Sequence, residues 1–312
     1  MRLAAISVDL DSLPHYCRIH GLPESLLDDR ARGLVYKTAV PRFRELFQSA
    51  SVPATFFAIG EDLESEENRA AMASAHQSGV EIANHSYSHD YALSRKSVSE
   101  ISADVRKGAA LIERATGQRP KGFRAPGYTL SSAMYRALLE EGVAWDSSVF
   151  PAVPYYAAKA MVMGALAAVG RPSKSVLDTP RVLLAPTVPY HPDPEAPYSR
   201  GGGAALELPV TVSPGLRLPF IGTFAVMMPN AVVKATYGTL KGVELFNFEL
   251  HGVDVLSASD GIPDELVRVQ RDLRIPVERK LERLGEIFTW LRRDFDAVTL
   301  TQAAERFAGG VP

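Results

Sequence analysis

The sequence predicts an α/β fold in which seven or eight strand–helix units close into one barrel. Short runs rich in β-branched and aromatic residues alternate with longer runs of helical spacing in both halves of the chain. This alternation is typical of parallel strands joined by helical crossovers. The number of units is a further observation, because seven or eight of them in one chain favour a closed barrel over an open sheet.

Five strands are predicted in the first half of the chain. They are residues 3–8, 54–60, 80–84, 122–124 and 143–148. The runs between them predict helices at residues 40–49, 61–78, 97–116 and 131–141. The last three of these helices end next to Gly79, Gly117 and Gly142. Glycine is common just after a helix because it adopts the left-handed conformation without steric cost.

The alternation of predicted strands and helices continues in the second half of the chain. Further strands are predicted at residues 205–212, 243–250 and 297–300. Residues 264–293 predict a helix with a break near Pro276, since proline disrupts a helix interior. Between the halves, residues 150–204 are rich in Pro, Tyr, Ala and Gly. Long stretches of this kind are usually lids or binding loops. We therefore interpret residues 150–204 as an insertion at one end of the barrel and residues 1–312 as a single domain.

Composition narrows the classes of function. The chain has 312 residues, with 34 Lys and Arg against 36 Asp and Glu, and a formal net charge of −2. This near-neutral balance argues against nucleic-acid binding, which needs a basic face. The one cysteine, Cys17, cannot form an internal disulfide or a cysteine-rich zinc site. The first apolar run is cut short by Asp9 and Asp11, so we expect no secretory signal and a cytoplasmic protein.

Two aspartates stand at the end of the first predicted strand. Asp9 and Asp11 are two residues apart, and they therefore point to the same side of a strand. Two carboxylates on one face repel each other unless a cation or a proton lies between them. The pair also fits a solvated strand end, so on its own it does not decide the function.

Histidines follow two of the other predicted strands. His85 and His89 are four residues apart, which places two imidazoles on one side of a helical turn. With a carboxylate from elsewhere they would form a metal site with open positions for water. The same spacing also fits two polar loop histidines. His251 follows a predicted strand near the end of the chain. It is a candidate catalytic residue only if the barrel brings it beside the aspartate pair and the other two histidines.

Five short motifs occur along the chain in a fixed order. They are Asp9-Leu10-Asp11, His85-Ser86-Tyr87-Ser88-His89, Phe123-Arg124-Ala125-Pro126-Gly127-Tyr128, Trp145-Asp146-Ser147-Ser148 and Leu250-His251-Gly252. Their order and spacing resemble the five motifs of the polysaccharide deacetylase family, carbohydrate esterase family four, and the first motif resembles its Asp-x-Asp subgroup. The resemblance implies a distorted (β/α)7 barrel, similar to a TIM barrel, and metal-dependent hydrolysis of an N-acyl or O-acyl group.

The resemblance also implies a role for each motif residue. Asp11, His85 and His89 would hold one divalent metal ion, usually zinc in this family. Asp9 would be the general base, and Arg124 would pair with it and keep it ionised.

The remaining motifs would supply the general acid and the oxyanion site. His251 would protonate the leaving group, and Asp146 would orient it. A backbone N–H near Gly127 or Tyr128 would stabilise the oxyanion, although Gly127 stands where the family usually has an aromatic residue. Glu249 lies two residues before His251, and we interpret it as a buried polar group of the barrel.

Two features of the insertion predict contacts with a substrate. The rigid aromatic loop around Tyr190 is of a type that suits sugar contact. The apolar run that contains Tyr155 and Met161 predicts a helix. This helix would either pack on the barrel or act as a lid that touches a lipid-linked substrate at the inner face of the membrane. Peripheral membrane contact is therefore part of the prediction.

The leading hypothesis is a metal-dependent hydrolase that removes an acetyl or formyl group from the nitrogen of an amino sugar. The sugar would belong to a soluble or lipid-linked glycan, and one divalent ion, above all Zn²⁺, is the expected cofactor. A second hypothesis is the opening of a cyclic imide or ureide by the same residues. A third is a carbohydrate-binding barrel without activity, which predicts that a key residue is lost or misplaced.

Overall fold

The computed structural model describes residues 2–168, 170 and 175–309, and its centre is a curled parallel sheet. In chain order the strands are Leu3–Asp9 (β1), Thr55–Ala58 (β2), Glu81–Asn84 (β3), Gly122–Phe123 (β4), Trp145–Asp146 (β5), Pro192–Asp193 (β6), Ala196–Arg200 (β7), Leu206–Glu207 (β8), Leu245–His251 (β9) and Asp296–Val298 (β10). Seven of them form a half-barrel in the order β9–β1–β2–β3–β4–β5–β8, with parallel pairing throughout. The predicted α/β fold of a distorted barrel is confirmed.

β1 is the strand around which the sheet is organised. It is buried along its whole length and pairs with β9 over all seven residues. Its other edge is shared, since β10 pairs with its first half and β2 with its second half. The gap between β8 and β9 is crossed by a hydrogen bond from the amide of Thr211 to the carbonyl oxygen of Asn247 at 3.1 Å. This loop contact next to β8 therefore links the two end strands of the half-barrel.

Helices alternate with the strands. In chain order they are Leu13–His20 (α1), Asp29–Arg32 (α2), Val40–Ala50 (α3), Glu66–Gln77 (α4), Val98–Thr116 (α5), Ser132–Glu140 (α6), Val153–Ala168 (α7), Gly222–Met227 (α8), Asn230–Leu240 (α9), Asp264–Val269 (α10), Val277–Asp294 (α11) and Leu300–Ala308 (α12). The ends of α5 show how local sequence sets these bounds. Ser97 and Glu100 form a capping box at its start, and Gly117 ends it with a φ of 77°.

Several predicted elements are shorter than expected, among them one helix and one strand of the second half. The helix predicted at residues 61–78 is split into a 3-10 turn, Glu61–Glu64, and α4. The split occurs because Ser65 is extended and its hydroxyl accepts a hydrogen bond from the amide of Asn68, which starts a new helix. The strand predicted at residues 205–212 is reduced to β8.

The interior of the half-barrel holds a polar network around Arg124, whose side chain is fully buried. Its Nε donates to the carbonyl oxygen of Ser147 at 2.9 Å. Its Nη2 donates to the hydroxyls of Ser7 at 3.0 Å and Ser147 at 2.8 Å. Asn247 donates to the same Ser147 hydroxyl at 2.9 Å. These bonds hold the guanidinium in one orientation inside the barrel.

The segment predicted as an insertion, residues 150–204, contains α7, a 3-10 turn at Pro180–Leu184 and the antiparallel hairpin β6–β7. Residues 169 and 171–174, which belong to the predicted insertion, lie outside the described residues. Within the described ranges, none of the helices combines the length and the apolar character that crossing a membrane requires.

Candidate active site

The carboxyl ends of the parallel strands bring the predicted residues to one edge of the sheet. Strand register pairs Asp9 at the end of β1 with His251 at the end of β9. Asp11 follows β1, His85 directly follows β3, and Arg124 directly follows β4. In barrels of parallel strands, active sites are built at this end.

Asp11, His85 and His89 form a compact cluster of buried ligand atoms. Nε2 of His85 lies 3.3 Å from Oδ1 of Asp11, and Nε2 of His89 lies 3.2 Å from the same oxygen. The two Nε2 atoms are 3.2 Å apart. Ligand atoms roughly 2.0–2.2 Å from a tetrahedral ion lie about 3.3 Å from one another. The three predicted ligands are therefore spaced to hold one divalent cation.

The electrostatics of the cluster agree with a cation site. Oδ1 of Asp11 is buried and, in the described part of the chain, has no hydrogen-bond donor in good geometry. Burial disfavours its charge, but His89 and His85 hold the pKa of Asp11 well below its ordinary value. Burial lowers the pKa of His89, which favours the neutral imidazole that a metal ion requires.

His85 responds differently to the same surroundings. Burial opposes its charge, but the nearby carboxylates of Asp9 and Asp11 raise the pKa of His85. A cation would therefore displace a proton when His85 binds it. Nδ1 of His85 lies 2.7 Å from the carbonyl oxygen of Arg124. Because a carbonyl only accepts, Nδ1 carries the proton and Nε2 faces the cluster.

The two histidines lie on an irregular loop and not on the predicted helical turn. Ser86 and His89 have positive φ angles of 65° and 47°. The hydroxyl of Ser86 accepts a hydrogen bond from the amide of His89 at 2.9 Å, which stabilises this turn. The left-handed residues bring the imidazole of His89 back towards that of His85, with ring centroids 4.8 Å apart. The spacing of four residues predicted that the two imidazoles lie together. A loop with left-handed residues, and not a helical turn, produces this contact.

Asp9 is held by a buried ion pair with Arg124. Nη1 of Arg124 donates to Oδ1 of Asp9 at 2.6 Å. Oδ2, the other oxygen, lies 3.7 Å from Nε2 of His85. One oxygen of Asp9 is thus occupied by the guanidinium while the other faces the cluster, which is the arrangement that a general base beside a metal requires.

The structure brings Glu249, and not Asp146, to His251. Nδ1 of His251 lies 2.8 Å from Oε1 of Glu249, whose side chain is fully buried. Asp146 instead accepts a hydrogen bond from the hydroxyl of Ser148 at 2.6 Å, and burial raises the pKa of Asp146 to about 6. The expected contact between Asp146 and His251 is absent from the described geometry because β5 directs this carboxylate towards Ser148 and Glu207.

The charged form of His251 is favoured by its surroundings. Burial opposes the charge, but the carboxylate of Glu249 raises the pKa of His251 well above its ordinary value. Oδ2 of Asp254 accepts a hydrogen bond from the backbone N–H of His251 at 2.8 Å. The buried ammonium of Lys280 donates to the carbonyl oxygen of Val253 at 3.0 Å in the same turn. The backbone that carries the imidazole is therefore held from two sides.

Gly127 and Tyr128 lie in a tight turn after β4, with positive φ angles of 66° and 59°. The amide of Tyr128 already donates to the carbonyl oxygen of Ala125 at 3.1 Å. Of the two amides predicted for the oxyanion site, that of Gly127 is therefore the better candidate. Tyr128 places its hydroxyl near His251, 3.5 Å from Nε2.

The structure does not bring Tyr190 to these residues. Its side chain is buried, and its hydroxyl donates to the carbonyl oxygen of Pro197 at 2.7 Å. Its backbone pairs with Glu207 in an antiparallel bridge. The ring therefore belongs to the packing between the hairpin and β8, and the predicted sugar contact has no place in this geometry.

A cavity of about 240 Å³ lies against the cluster. The catalytic candidates that line it are Asp9, Asp11, His85, His251, Gly127 and Tyr128. Aromatic side chains complete its walls, including Tyr16 of α1, Tyr91 of the loop after His89 and Tyr155 of α7. The volume is below the roughly 300–1,000 Å³ of pockets for drug-sized ligands, so the cavity suits a small molecule.

Comparison with known proteins identifies relatives of this chain. Residues 27–144 match the family model described as polysaccharide deacetylase. A peptidoglycan deacetylase from Helicobacter pylori is 31% identical over 159 residues, which are 49% of this chain and 52% of that protein. The chain thus matches about half the length of that relative.

Solved structures share the fold over nearly the whole chain. A proposed polysaccharide deacetylase from Mycobacterium smegmatis has a TM-score of 0.61 and 18% identity, covering 99% of this chain and 92% of that one. An allantoinase has a TM-score of 0.60 and 14% identity, covering 99% of this chain and 91% of that one. Identities this low bear on the fold alone.

Proposed function

Because residues 27–144 match the polysaccharide deacetylase family model, we propose that the chain belongs to this family and is a metal-dependent hydrolase that removes an acetyl or formyl group from the nitrogen of an amino sugar. One observation carries the proposal. Nε2 of His85, Nε2 of His89 and Oδ1 of Asp11 lie 3.2–3.3 Å from one another beside the Asp9–Arg124 ion pair. Two imidazoles and one carboxylate suit Zn²⁺ and leave positions for water and substrate.

The first proton transfer belongs to Asp9. A bound divalent ion supplies Lewis acidity, which acidifies water to a pKa of about 7 and polarises an acyl carbonyl. Asp9 accepts the proton of the attacking water at Oδ2, the oxygen that faces the cluster. Arg124 holds Oδ1 and keeps the carboxylate ionised and oriented.

The second proton transfer belongs to His251. Glu249 pairs with Nδ1, so the proton that moves is the one on Nε2, beside the hydroxyl of Tyr128. An amine leaves only when it is protonated, and His251 donates this proton to the departing nitrogen. The amide of Gly127 donates to the acyl oxygen as negative charge develops on it.

The amino sugar belongs, in this proposal, to a soluble or lipid-linked glycan. The lipid-linked form is supported by α7, where Met161 is 70% exposed and Val162 is 54% exposed. Val162 also lines the cavity, so exposed apolar surface lies directly beside the catalytic residues. Such a surface suits contact with acyl chains at the face of a membrane.

Ring opening of a cyclic imide or ureide is the second candidate. The cavity of about 240 Å³ favours it, because a compact ring fits this volume better than a polymer does. Asp9 and His251 would keep their roles, since a ring amide is hydrolysed by the same two proton transfers.

Asp9→Asn tests the proposal because the variant keeps the size of the side chain and removes its basicity. We expect release of acetate from N-acetylglucosamine oligomers, or opening of dihydrouracil, to fall about 10²–10⁴-fold. We also expect the metal content, measured by mass spectrometry, to stay the same. An emptied metal site would instead make Asp9 a ligand. A metal-loaded wild-type protein that hydrolyses neither substrate class would favour the non-catalytic barrel.

A further inference from the structure

One wall of the active-site cavity comes from the inserted helix α7, and this wall carries a cation. Tyr155, Lys159, Val162 and Met163 line the cavity from α7. Among the described lining residues, Lys159 is the single lysine or arginine. Neither proton transfer proposed for the hydrolase uses it.

Lys159 reaches the turn that carries the oxyanion candidate. Its Nζ donates to the carbonyl oxygen of Gly127 at 3.2 Å. A methyl group on Gly127 would lie 3.5 Å from this Nζ and 2.7 Å from the ring of Tyr91. The ring of Tyr91 in turn packs edge-on against that of His89, with centroids 5.0 Å apart. Gly127 and Tyr91 therefore link the ammonium to His89 through a chain of direct contacts.

The charge of this ammonium is only partly compensated by the described residues around it. Burial lowers the pKa of Lys159 to about 8, and the nearby Asp178 opposes this only in part. Asp178 is engaged by the hydroxyl of Tyr198 and by the amide of Thr179 at 2.6 Å. A lysine ammonium has three donors, and the Gly127 carbonyl accounts for one of them. An anion in the cavity would supply both a charge and acceptors.

A second donor faces the same cavity from α1. Tyr16 is buried and lines the cavity, and its hydroxyl has no hydrogen-bond partner within the described ranges. Buried polar groups are normally paired, because an unpaired one costs free energy. An oxygen atom of a bound ligand would satisfy this hydroxyl.

We propose that the part of the substrate that enters the cavity is a compact amide unit that carries a carboxylate, and that Lys159 binds this carboxylate while the Tyr16 hydroxyl bonds another oxygen of the same unit. The proposal rests on the hydrolase function, since the carboxylate would lie beside the amide on which Asp9 and His251 act. The cavity volume of about 240 Å³ supports a compact unit. A carboxylate is supported by the lysine, because a charged hydrogen bond away from water is stronger than a neutral one.

Two matched pairs of probes test the carboxylate. N-acetylmuramic acid differs from N-acetylglucosamine by a lactyl carboxylate on the same acetylated sugar. Dihydroorotate differs from dihydrouracil by a carboxylate on the same ring. We expect the wild-type protein to have the higher kcat/KM for the anionic member of whichever pair it hydrolyses. No preference for the anionic member would overturn the proposal.

Lys159→Met should lower this anionic-to-neutral ratio of kcat/KM about 10- to 100-fold, and Lys159→Arg should restore much of it. Lys121→Met is the matched control, because Lys121 is exposed and pairs with Glu305 at 3.0 Å far from the cavity. Its ratio should equal that of the wild type. An equal loss for both members of a pair would make Lys159 a structural residue and would also overturn the proposal.

Binding separates this proposal from the hydrolase function. Calorimetry with N-acetylmuramic acid and dihydroorotate, using the Asp9→Asn protein in which turnover is slowed, measures binding at the anion site. Lysine-dependent binding without hydrolysis of any probe by the wild type would support the anion site and overturn the hydrolase. Hydrolysis with a ratio that Lys159→Met and Lys159→Arg leave unchanged would do the reverse.

Discussion

The strand-end part of the active site and the wall supplied by α7 are built in different ways. At the strand ends, the fully buried Arg124 joins Asp9 at 2.6 Å and bonds three further oxygen atoms inside the barrel. α7 instead exposes much of its apolar surface, and a single hydrogen bond from Lys159 ties it to the turn at Gly127. The catalytic groups are therefore fixed by the barrel, whereas substrate contacts lie on an element that can change without rebuilding it.

The strand ends are suited to the chemical steps, and α7 is suited to the selection of the substrate. Chemistry requires groups held within fractions of an ångström, and buried hydrogen-bonded pairs provide that rigidity. Selection among small substrates requires only that one wall offers the right charge and shape. Substitutions at the strand ends should abolish turnover or stability, and those on α7 should change specificity and have smaller effects.

Removal of a metal ligand should have the largest effect. His89→Ala leaves Asp11 and His85 without the third ligand atom, which now lies 3.2 Å from each of theirs. We expect loss of bound metal and activity below detection, measured by metal analysis and acetate release. His191→Ala is the control, because His191 bonds the carbonyl oxygen of Gly203 outside the cluster. Full metal content in His89→Ala would show that another residue completes the site.

Arg124→Met should have the largest effect on folding. It leaves the Asp9 carboxylate buried without its cation, and breaking such a pair costs about 3–5 kcal/mol of the free energy of unfolding. Chemical denaturation measures this change. Arg106→Met removes an exposed guanidinium from Glu141, which keeps a second partner in Arg119 at 3.5 Å, and should change the free energy of unfolding far less. Equal effects of the two variants would contradict the rigid role assigned to the strand ends.

Glu249→Gln should change the pH dependence of the reaction. The carboxylate favours the imidazolium form of His251, so its removal should lower the pKa of His251. A general acid works only while protonated, and the alkaline limb of the kcat/KM profile should therefore move to lower pH. Asp146→Asn should leave this limb in place. Movement of the limb in Asp146→Asn would restore the role first expected of Asp146.

Much of the strand-end part could be predicted from sequence because each residue sits next to a buried strand with a clear pattern. The ends of parallel strands meet at one edge, so Asp9, Asp11, His85 and His251 were expected to lie near one another once the barrel was inferred.

The helix α1 was not predicted, although its sequence signals were present. Pro14 lies in its first turn, and Gly21 ends it with a φ of 64°.

The partner of His251 could not be predicted because two carboxylates satisfied the same sequence rule. Asp146 ends β5 and Glu249 shares a strand face with His251, so both could point into the barrel. Their three-dimensional placement decides, and the structure leaves Asp146 with Ser148 at 2.6 Å and Glu249 with His251 at 2.8 Å. The sugar contact predicted for Tyr190 is wrong for a related reason, since an aromatic residue in a loop can pack inward as readily as it can face a ligand.

The smallest effects are expected on α7, where Tyr155 and Met161 make the comparison within one helix. The ring of Tyr155 lies 4.9 Å from that of Phe150 and 6.0 Å from that of Tyr128, and it lines the cavity. Tyr155→Ala should therefore cost about 1–2 kcal/mol of unfolding free energy and raise KM for small amides. Met161 is 70% exposed, so Met161→Ser should change stability by less than about 0.5 kcal/mol.

Thermal unfolding and steady-state kinetics on the two α7 variants complete the test. A loss of stability in Tyr155→Ala together with a raised KM would mean that α7 docks on the barrel through this ring. Removal of the ring from a detached helix would leave the free energy of unfolding unchanged. Equal behaviour of Tyr155→Ala and Met161→Ser would mean that α7 is not held against Phe150. Lys159 would then line the cavity only in the substrate complex. The bound carboxylate would act by ordering α7 against the barrel.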